Sequence, residues 1–323
     1  MKKSNIKKII IIVLVLAITG LTWQVANTEE GAEEPVINER GVNSNTDTIE
    51  NYYLLERKKG VSIPEIKAEA AYSVYLKDDE RQVLFSRGRN ERLPIASITK
   101  LMTALVVYEN YDLSESIGIP DSEFFTDSHL SDLKVFTDTT FGELLYPLLL
   151  ESNNSGAYAA ATAPEEVDFD DFIQMMNSTA DKLGMRRTVY YNPSGLDTIK
   201  GVNLSTARDV SMLIERLLDV DIFWDIMEKT RYDIHSHRAD LYYRITTTNR
   251  FLDGTYFNIR PDWHSEIIGG KTGFTYEAMG CLVMVLEVDG GYMINVILGA
   301  DGRLERFQEM EKLINWTHKA YEI

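Results

Sequence analysis

A single cysteine, Cys281, in 323 residues excludes an intramolecular disulfide and any cysteine-rich metal site. In an exported chain such a lone thiol is most simply a small apolar core residue. Histidine is almost as scarce. His129, His235, His237, His264 and His318 are scattered, and the His-Glu-x-x-His pattern of zinc peptidases does not occur. His235 and His237 could share one strand face, but an ordinary exposed strand is the simpler reading. The chain also lacks a Gly-x-Ser-x-Gly elbow and a P-loop, so a histidine-based serine hydrolase has little support. Eight prolines and 20 glycines exclude collagen and argue against long disorder. Positive charge is in short supply: 33 Lys and Arg face 50 Asp and Glu, for a net charge of −17. Such a chain repels phosphate backbones, and nucleic acid is not expected as a partner.

What remains is the balance of a globular protein, 44% hydrophobic and 26% charged. Its length fits one large domain or two modest ones. The N-terminus is distinct. Lys2, Lys3, Lys7 and Lys8 precede an uncharged run of 18 residues, Ile9 to Ala26. At 1.5 Å per residue a helix there spans about 27 Å, close to a hydrocarbon core. A basic flank before an apolar run predicts export with the lysines left in the cytoplasm. Cleavage after Ala26 would put Gln24 where a small residue is needed, so an uncleaved anchor is expected; a cleaved chain would be secreted. Residues 1–26 are thus read as the membrane segment and 27–66 as an acidic polar tether. Within the tether, Tyr52, Tyr53, Leu54 and Leu55 are candidates to dock on the domain at 67–323.

In that domain, Ala71–Leu76 and Gln82–Ser86 read as strands joined by a Lys77–Glu80 turn. Leu101, Leu105 and Tyr108 have helical spacing, and Phe141–Leu150, Phe169–Leu183 and Thr206–Leu218 also read as helices. Cys281–Val288 and Tyr292–Leu298 are apolar strands around Asp289-Gly290-Gly291. Leu304, Phe307, Met310, Leu313, Ile314, Thr317 and Tyr321 form the apolar face of a terminal helix. Strands at both ends and helices between predict an α+β fold, one antiparallel sheet flanked by helices with a helical lobe.

Ser-x-x-Lys occurs at Ser4/Lys7, Ser97/Lys100 and Ser131/Lys134. Only Ser97 opens an apolar helix. A spacing of three puts Ser97 and Lys100 on one face, and a helix N-terminus offers N–H groups to developing negative charge. A plain N-cap serine is the competing reading. Two further patterns each occur once, Ser152-Asn153-Asn154 and Lys271-Thr272-Gly273. A given triplet arises by chance in about 4% of chains this long, so Lys-Thr-Gly alone is weak. Three such elements in order, on helix, helix edge and strand, are the set used by serine penicillin-recognising enzymes.

The chain resembles the serine-type D-alanyl-D-alanine carboxypeptidases, the low-molecular-weight penicillin-binding proteins. Likeness runs from Lys67 to Tyr321 and includes Leu93–Thr103, Leu149–Asn154, Leu183–Met185, Ser194–Asp197, Ser205–Asp209 and Gly270–Thr275. It implies the penicillin-binding protein/β-lactamase-like transpeptidase fold, with the site between sheet and helical lobe. Ser97 would attack the carbonyl between two terminal D-alanines of a peptidoglycan stem peptide and become acylated. Lys100 would be the base, made neutral by burial and by the Lys271 charge. Ser152 and Asn154 would orient substrate and relay a proton to the leaving amine. Lys271 and Thr272 would bind the terminal carboxylate, and the N–H groups of Ser97 and Phe274 would form the oxyanion hole. Gly273 would permit close backbone approach. β-Lactams would act as inhibitors, with no metal or organic cofactor implied.

The chain departs from the family pattern in places. About fifty residues follow Lys-Thr-Gly, so the β-rich C-terminal domain and terminal membrane helix of many relatives are not expected. Where some relatives place an arginine near the carboxylate, Thr246–Arg250 is expected to put Thr248, with Arg250 a weak candidate. A class A β-lactamase would need Glu-x-x-Leu-Asn between Ser152 and Lys271. The nearest match, Glu311–Asn315, lies after Lys-Thr-Gly, while Glu165 and Glu166 lack the Leu-Asn. The same residues would also serve a tethered domain that binds wall peptides without turnover, or an endopeptidase acting on cross-linked wall peptides.

Overall fold

The structure is a computed structural model that describes residues 55–78, 80–117, 139–163, 167–235, 242–255 and 262–321. The run Ile9–Ala26, most of the acidic stretch, His129, Ser131, Lys134, Glu165, Glu166 and His237 lie outside the described residues. Among the described residues no helix is long and apolar enough to cross a membrane.

Strands β1 (Ala70–Lys77) and β2 (Glu80–Arg87) form the first hairpin. A short β3 (Leu93–Pro94) leads through a 3-10 turn, Ala96–Ile98, into α1 (Thr99–Asn110). Helices α2 (Phe141–Tyr146), α3 (Asn154–Thr162) and α4 (Phe169–Lys182) follow. Then come β4 (Leu204–Ser205), α5 (Ala207–Leu218), α6 (Asp221–Met227), the β5–β6 hairpin (Arg231–His235, Tyr242–Thr246) and α7 (Arg250–Asp253). The chain closes with β7 (Ile267–Thr275), β8 (Met279–Val288), β9 (Gly291–Ala300) and α8 (Glu305–Tyr321).

The main sheet has five strands in the order β2-β1-β9-β8-β7, antiparallel throughout. Strands from both chain ends meet where β1 pairs with β9, as the pattern predicts, and β7 is left as an edge. Alternation along β9 supplies two cores. Ile294, Val296 and Leu298 face the helical lobe with Leu101, Leu105 and Leu213. Met293 and Ile297 face α8 with Phe307, Met310 and Ile314. Leu55 is buried in this second core, its N–H and C=O both bonded to the Gln82 side-chain amide.

Four local expectations need correction. Ser97 does not begin the α-helix but lies in the 3-10 turn before it, where no side-chain cap is made. Phe141–Leu150 is not one helix: α2 stops at Tyr146, and Pro147–Glu151 widens into a π-helical turn closed by the Ser152 N–H on the Pro147 carbonyl. Proline supplies no N–H to continue the ordinary ladder at that point. Leu304 precedes α8 and is 41% exposed, whereas Arg306 and Glu309 are buried. The β8–β9 turn is also one residue tighter than Asp289–Gly291. Asp289 and Gly290 both have positive φ (52° and 73°), the two-residue turn that matches strand twist, and Gly291 already belongs to β9.

Candidate active site

The turn carrying Ser97 is held in an uncommon conformation. Ala96 has φ of 46°, in the left-handed region that costs a residue with a Cβ roughly 1–2 kcal/mol. Gly195, itself at φ 81°, packs directly beneath, and a Cβ there would run into the Ala96 carbonyl oxygen. The 192–196 loop that supplies Gly195 is organised by two asparagines. Asn192 Oδ1 accepts from the Ser194 and Gly195 N–H groups. Asn203 Oδ1 accepts from the Tyr191 and Asn192 N–H groups, while its Nδ2 donates to Thr99 Oγ1 and the Asn192 carbonyl. The loop and the first residue of α1 are thereby tied together.

Ser97 and Lys100 meet as their spacing predicts: Lys100 Nζ lies 2.8 Å from Ser97 Oγ. Lys100 also lies 2.8 Å from Asn154 Oδ1 and 2.6 Å from the Ser194 carbonyl oxygen. Its side chain is fully buried, and desolvation lowers its pKa to about 7. Burial is the main cause. The expected repulsion between the two lysines is present, and burial, then Lys100, then Arg306 push Lys271 well below the usual lysine range.

Lys271 is on the edge strand β7 and donates to Ser152 Oγ at 2.7 Å and to the Thr272 carbonyl at 3.0 Å. Ser152 adopts φ of 66° at the end of the π-helical turn, and Asn153 then caps α3 by accepting from the Gly156 N–H. That sharp exit puts Ser152 against Lys271 and Asn154 against Lys100. Thr272 is buried with its hydroxyl 2.7 Å from Thr248 Oγ1, so Thr248 stands beside the strand as expected, while Arg250 is exposed at the head of α7. Gly273 runs against the nucleophile turn: a Cβ there would lie 3.0 Å from the Ile95 carbonyl oxygen and 3.2 Å from the Ser97 nitrogen. Phe274 follows on the same strand, its ring under the Arg303 guanidinium at 4.4 Å.

The structure brings the predicted residues together as two serine–lysine pairs, Ser97–Lys100 and Ser152–Lys271, with Asn154 on Lys100 and Thr272, Gly273 and Phe274 following Lys271 on β7. Sequence reasoning missed the Ser194 carbonyl, which is a backbone acceptor, and Arg306, whose Nη1 donates to the Gly273 carbonyl at 2.7 Å. A signal for Arg306 was present. It lies four and seven residues before Met310 and Leu313, on the buried stripe of α8.

A nucleophilic serine held by a buried lysine, facing a strand with a second lysine, defines a serine acyl-transfer enzyme in which lysine replaces histidine. The chain belongs to the D-alanyl-D-alanine carboxypeptidase family, whose model matches residues 57–302. It is a serine peptidase of that class. It is 27% identical over 271 residues to D-alanyl-D-alanine carboxypeptidase DacF of Bacillus subtilis, covering 82% of this chain and 66% of the relative. It is 31% identical over 246 residues to a D-alanyl-D-alanine endopeptidase of Pseudomonas aeruginosa, covering 73% of each. The fold matches penicillin-binding protein D2 of Listeria monocytogenes in its cefotaxime-bound form, with a TM-score of 0.64 and 26% identity. That match covers 79% of this chain and 99% of the other.

Proposed function

We propose that the chain removes the terminal D-alanine from peptidoglycan stem peptides through an acyl-Ser97 intermediate, with the residue roles that follow. The observation that carries this is the set of three oxygens around Lys100 Nζ. A neutral amine has two N–H donors and one lone pair. Asn154 Oδ1 and the Ser194 carbonyl can only accept, so they take the two N–H groups. The lone pair is left for Ser97, the one partner with a proton to give. Lys100 removes that proton as Ser97 Oγ attacks the D-Ala–D-Ala carbonyl. The oxyanion forms against the N–H groups of Ser97 and Phe274, each such donor being worth roughly 100- to 1000-fold in rate. Lys271 donates to Ser152 Oγ, which leaves the Ser152 proton available for the departing amine. Lys271 and Thr272 receive the terminal carboxylate. The proton that Lys100 took from Ser97 replaces the one Ser152 gives up, so Lys100 is neutral again, and water activated by it releases the acyl group.

β-Lactams fit the same attack, but the opened ring stays attached and obstructs the water, so a persistent adduct on Ser97 is expected. The resemblance to endopeptidases concerns the leaving group alone, because a cross-linked peptide presents the same D-Ala carbonyl. The lysines of residues 1–8 and the run Ile9–Ala26 support a domain held outside the cytoplasmic membrane by an N-terminal anchor.

The test joins fluorescent penicillin labelling, intact-mass measurement and a D-alanine assay, on wild type beside Ser97→Ala. The expected result is a lasting adduct on wild type only, with D-alanine released from a pentapeptide mimic. A folded wild type that takes no label would remove Ser97 from its role. Label without D-alanine from any wall peptide would favour a binding domain. Cleavage restricted to cross-linked dimers would favour an endopeptidase.

A further inference from the structure

Arg306 is a cation on α8, outside the two serine–lysine pairs, and its burial needs an explanation. Its exposure is 8%, and its Nη1 donates to the Gly273 carbonyl at 2.7 Å. An exposed surface arginine forfeits little on folding, but a buried one must be repaid by what it holds. What it holds is one particular peptide unit. The Gly273 carbonyl and the Phe274 N–H belong to the same planar trans amide and point in opposite directions. Fixing the carbonyl on the inner side aims the N–H at the cleft. A charge-assisted bond to the carbonyl also polarises the amide and strengthens its N–H as a donor.

Two neighbours hold this unit besides Arg306. Gly273 pairs with Cys281 on β8, and its other side touches the Ile95–Ser97 turn. The Cys281 thiol is buried and bonds to the Pro94 and Ala278 carbonyls. β7 is an edge strand, so no further strand steadies it beyond the cleft. Gly280, on the neighbouring strand, is a glycine where a Cβ would lie 3.1 Å from Arg306 Cβ and would collide with the Gly302 carbonyl. The approach of α8 to this end of the sheet therefore depends on small residues that leave room for the guanidinium.

We infer that Arg306 is a positioning residue for the oxyanion hole: its bond to the Gly273 carbonyl orients and polarises the amide whose Phe274 N–H receives the negative charge. This rests on the reading of the Phe274 N–H as an oxyanion donor. It adds a link from the terminal helix to the reaction.

The test compares wild type, Arg306→Lys and Arg306→Met, each full length and checked for folding. Two quantities are measured. One is the acylation rate with a penicillin at saturation. The other is the ester carbonyl stretch of acyl-Ser97 in difference infrared spectra, which reports hydrogen bonding to that oxygen and is not moved by a mere loss of stability. Met keeps bulk but donates nothing, so its acylation rate should fall about tenfold, short of the ~100-fold or more for deleting a donor outright. Its ester stretch should rise, with initial penicillin affinity little changed. Lys retains a donor and should fall between the two. A Met variant with wild-type rate and stretch overturns the proposal. Should Met fail to fold, Lys decides: a stretch above wild type supports the link, and an unchanged one overturns it. Absence of any acyl-Ser97 in wild type would instead strike the underlying reading of the site.

Discussion

Lys100 and Lys271 are both buried, at 0% and 1% exposure, and both touch a serine hydroxyl, yet their other partners differ. Lys100 is enclosed by acceptors from two other segments, Asn154 and Ser194. Lys271 bonds Ser152 and the carbonyl of its own neighbour, Thr272. Two protein acceptors for three N–H donors leave Lys271 one for a substrate carboxylate. The first environment suits a neutral base whose lone pair has one direction to point. The second suits a charge that is completed when an anion arrives, because the anion offsets the burial that disfavours an ammonium. On the proposed roles, the same side chain would serve two purposes because its partners differ, not its burial.

The strongest way to break this comparison is to exchange each lysine for arginine. Guanidinium stays protonated and cannot accept a proton from Ser97. Lys100→Arg should lose roughly 1000-fold or more of its acylation rate, within the range for general bases. Lys271→Arg keeps a positive charge for the carboxylate and should lose about 10- to 100-fold, chiefly in KM, the scale of one impaired charge-assisted bond. Penicillin acylation of the two folded variants, followed by stopped-flow or quench, checks the order. Equal losses would mean that the two lysines do one job together.

A finer test uses pH. Burial disfavours the charged form of Lys100, so its pKa falls to about 7 and its free base predominates above that. Acylation should therefore rise with pH through about 7 and then level off. The linked stability has the same sign: between about 7 and the ordinary value of 10.5 the unfolded chain binds more protons here, so stability from this group rises with pH across that window. If burial is the cause, Lys271→Gln should leave the acylation midpoint in place. A midpoint that climbs by a unit or more would shift the cause to the Lys271 charge.

How much of this could be read from the sequence depends on where each function resides. Ser97, Lys100, Ser152, Asn154, Lys271 and Thr272 meet through side chains whose identity and spacing are written in the chain, so the two pairs were legible. The sheet was legible too, because β1, β8 and β9 are apolar or β-rich runs bounded by turns, and the Asp289-Gly290 turn has its own chemistry. Backbone contributions were not. The Ser194 carbonyl reaches Lys100 because Asn192 and Asn203 shape a loop, and Ala96 tolerates positive φ because Gly195 fits beneath it. These depend on residues about a hundred positions apart. Helix α2 was read too long because Leu148–Leu150 continues an apolar pattern that the π-helical turn buries by a different route.

The smallest effect expected comes from the support on the Lys100 side alone. Thr103 Oγ1 donates to the Pro193 carbonyl at 2.6 Å, and both residues are buried. Pro193 immediately precedes Ser194, so this bond steadies the carbonyl that receives a Lys100 N–H, while Lys271 makes no hydrogen bond to the loop in the described residues. Thr103→Val keeps shape and removes the donor, leaving a buried acceptor short of its partner at a cost of about 1–3 kcal/mol. A fall in Tm of several degrees should result. Acylation at high pH, where Lys100 is neutral in either case, should drop only a few-fold, and KM for a pentapeptide mimic should hold because the carboxylate side is untouched. Loss of stability with no change in acylation would show that the loop supports the fold without steering the base. A raised KM with an unchanged acylation rate would place its influence on the Lys271 side and undo the division of labour between the two lysines.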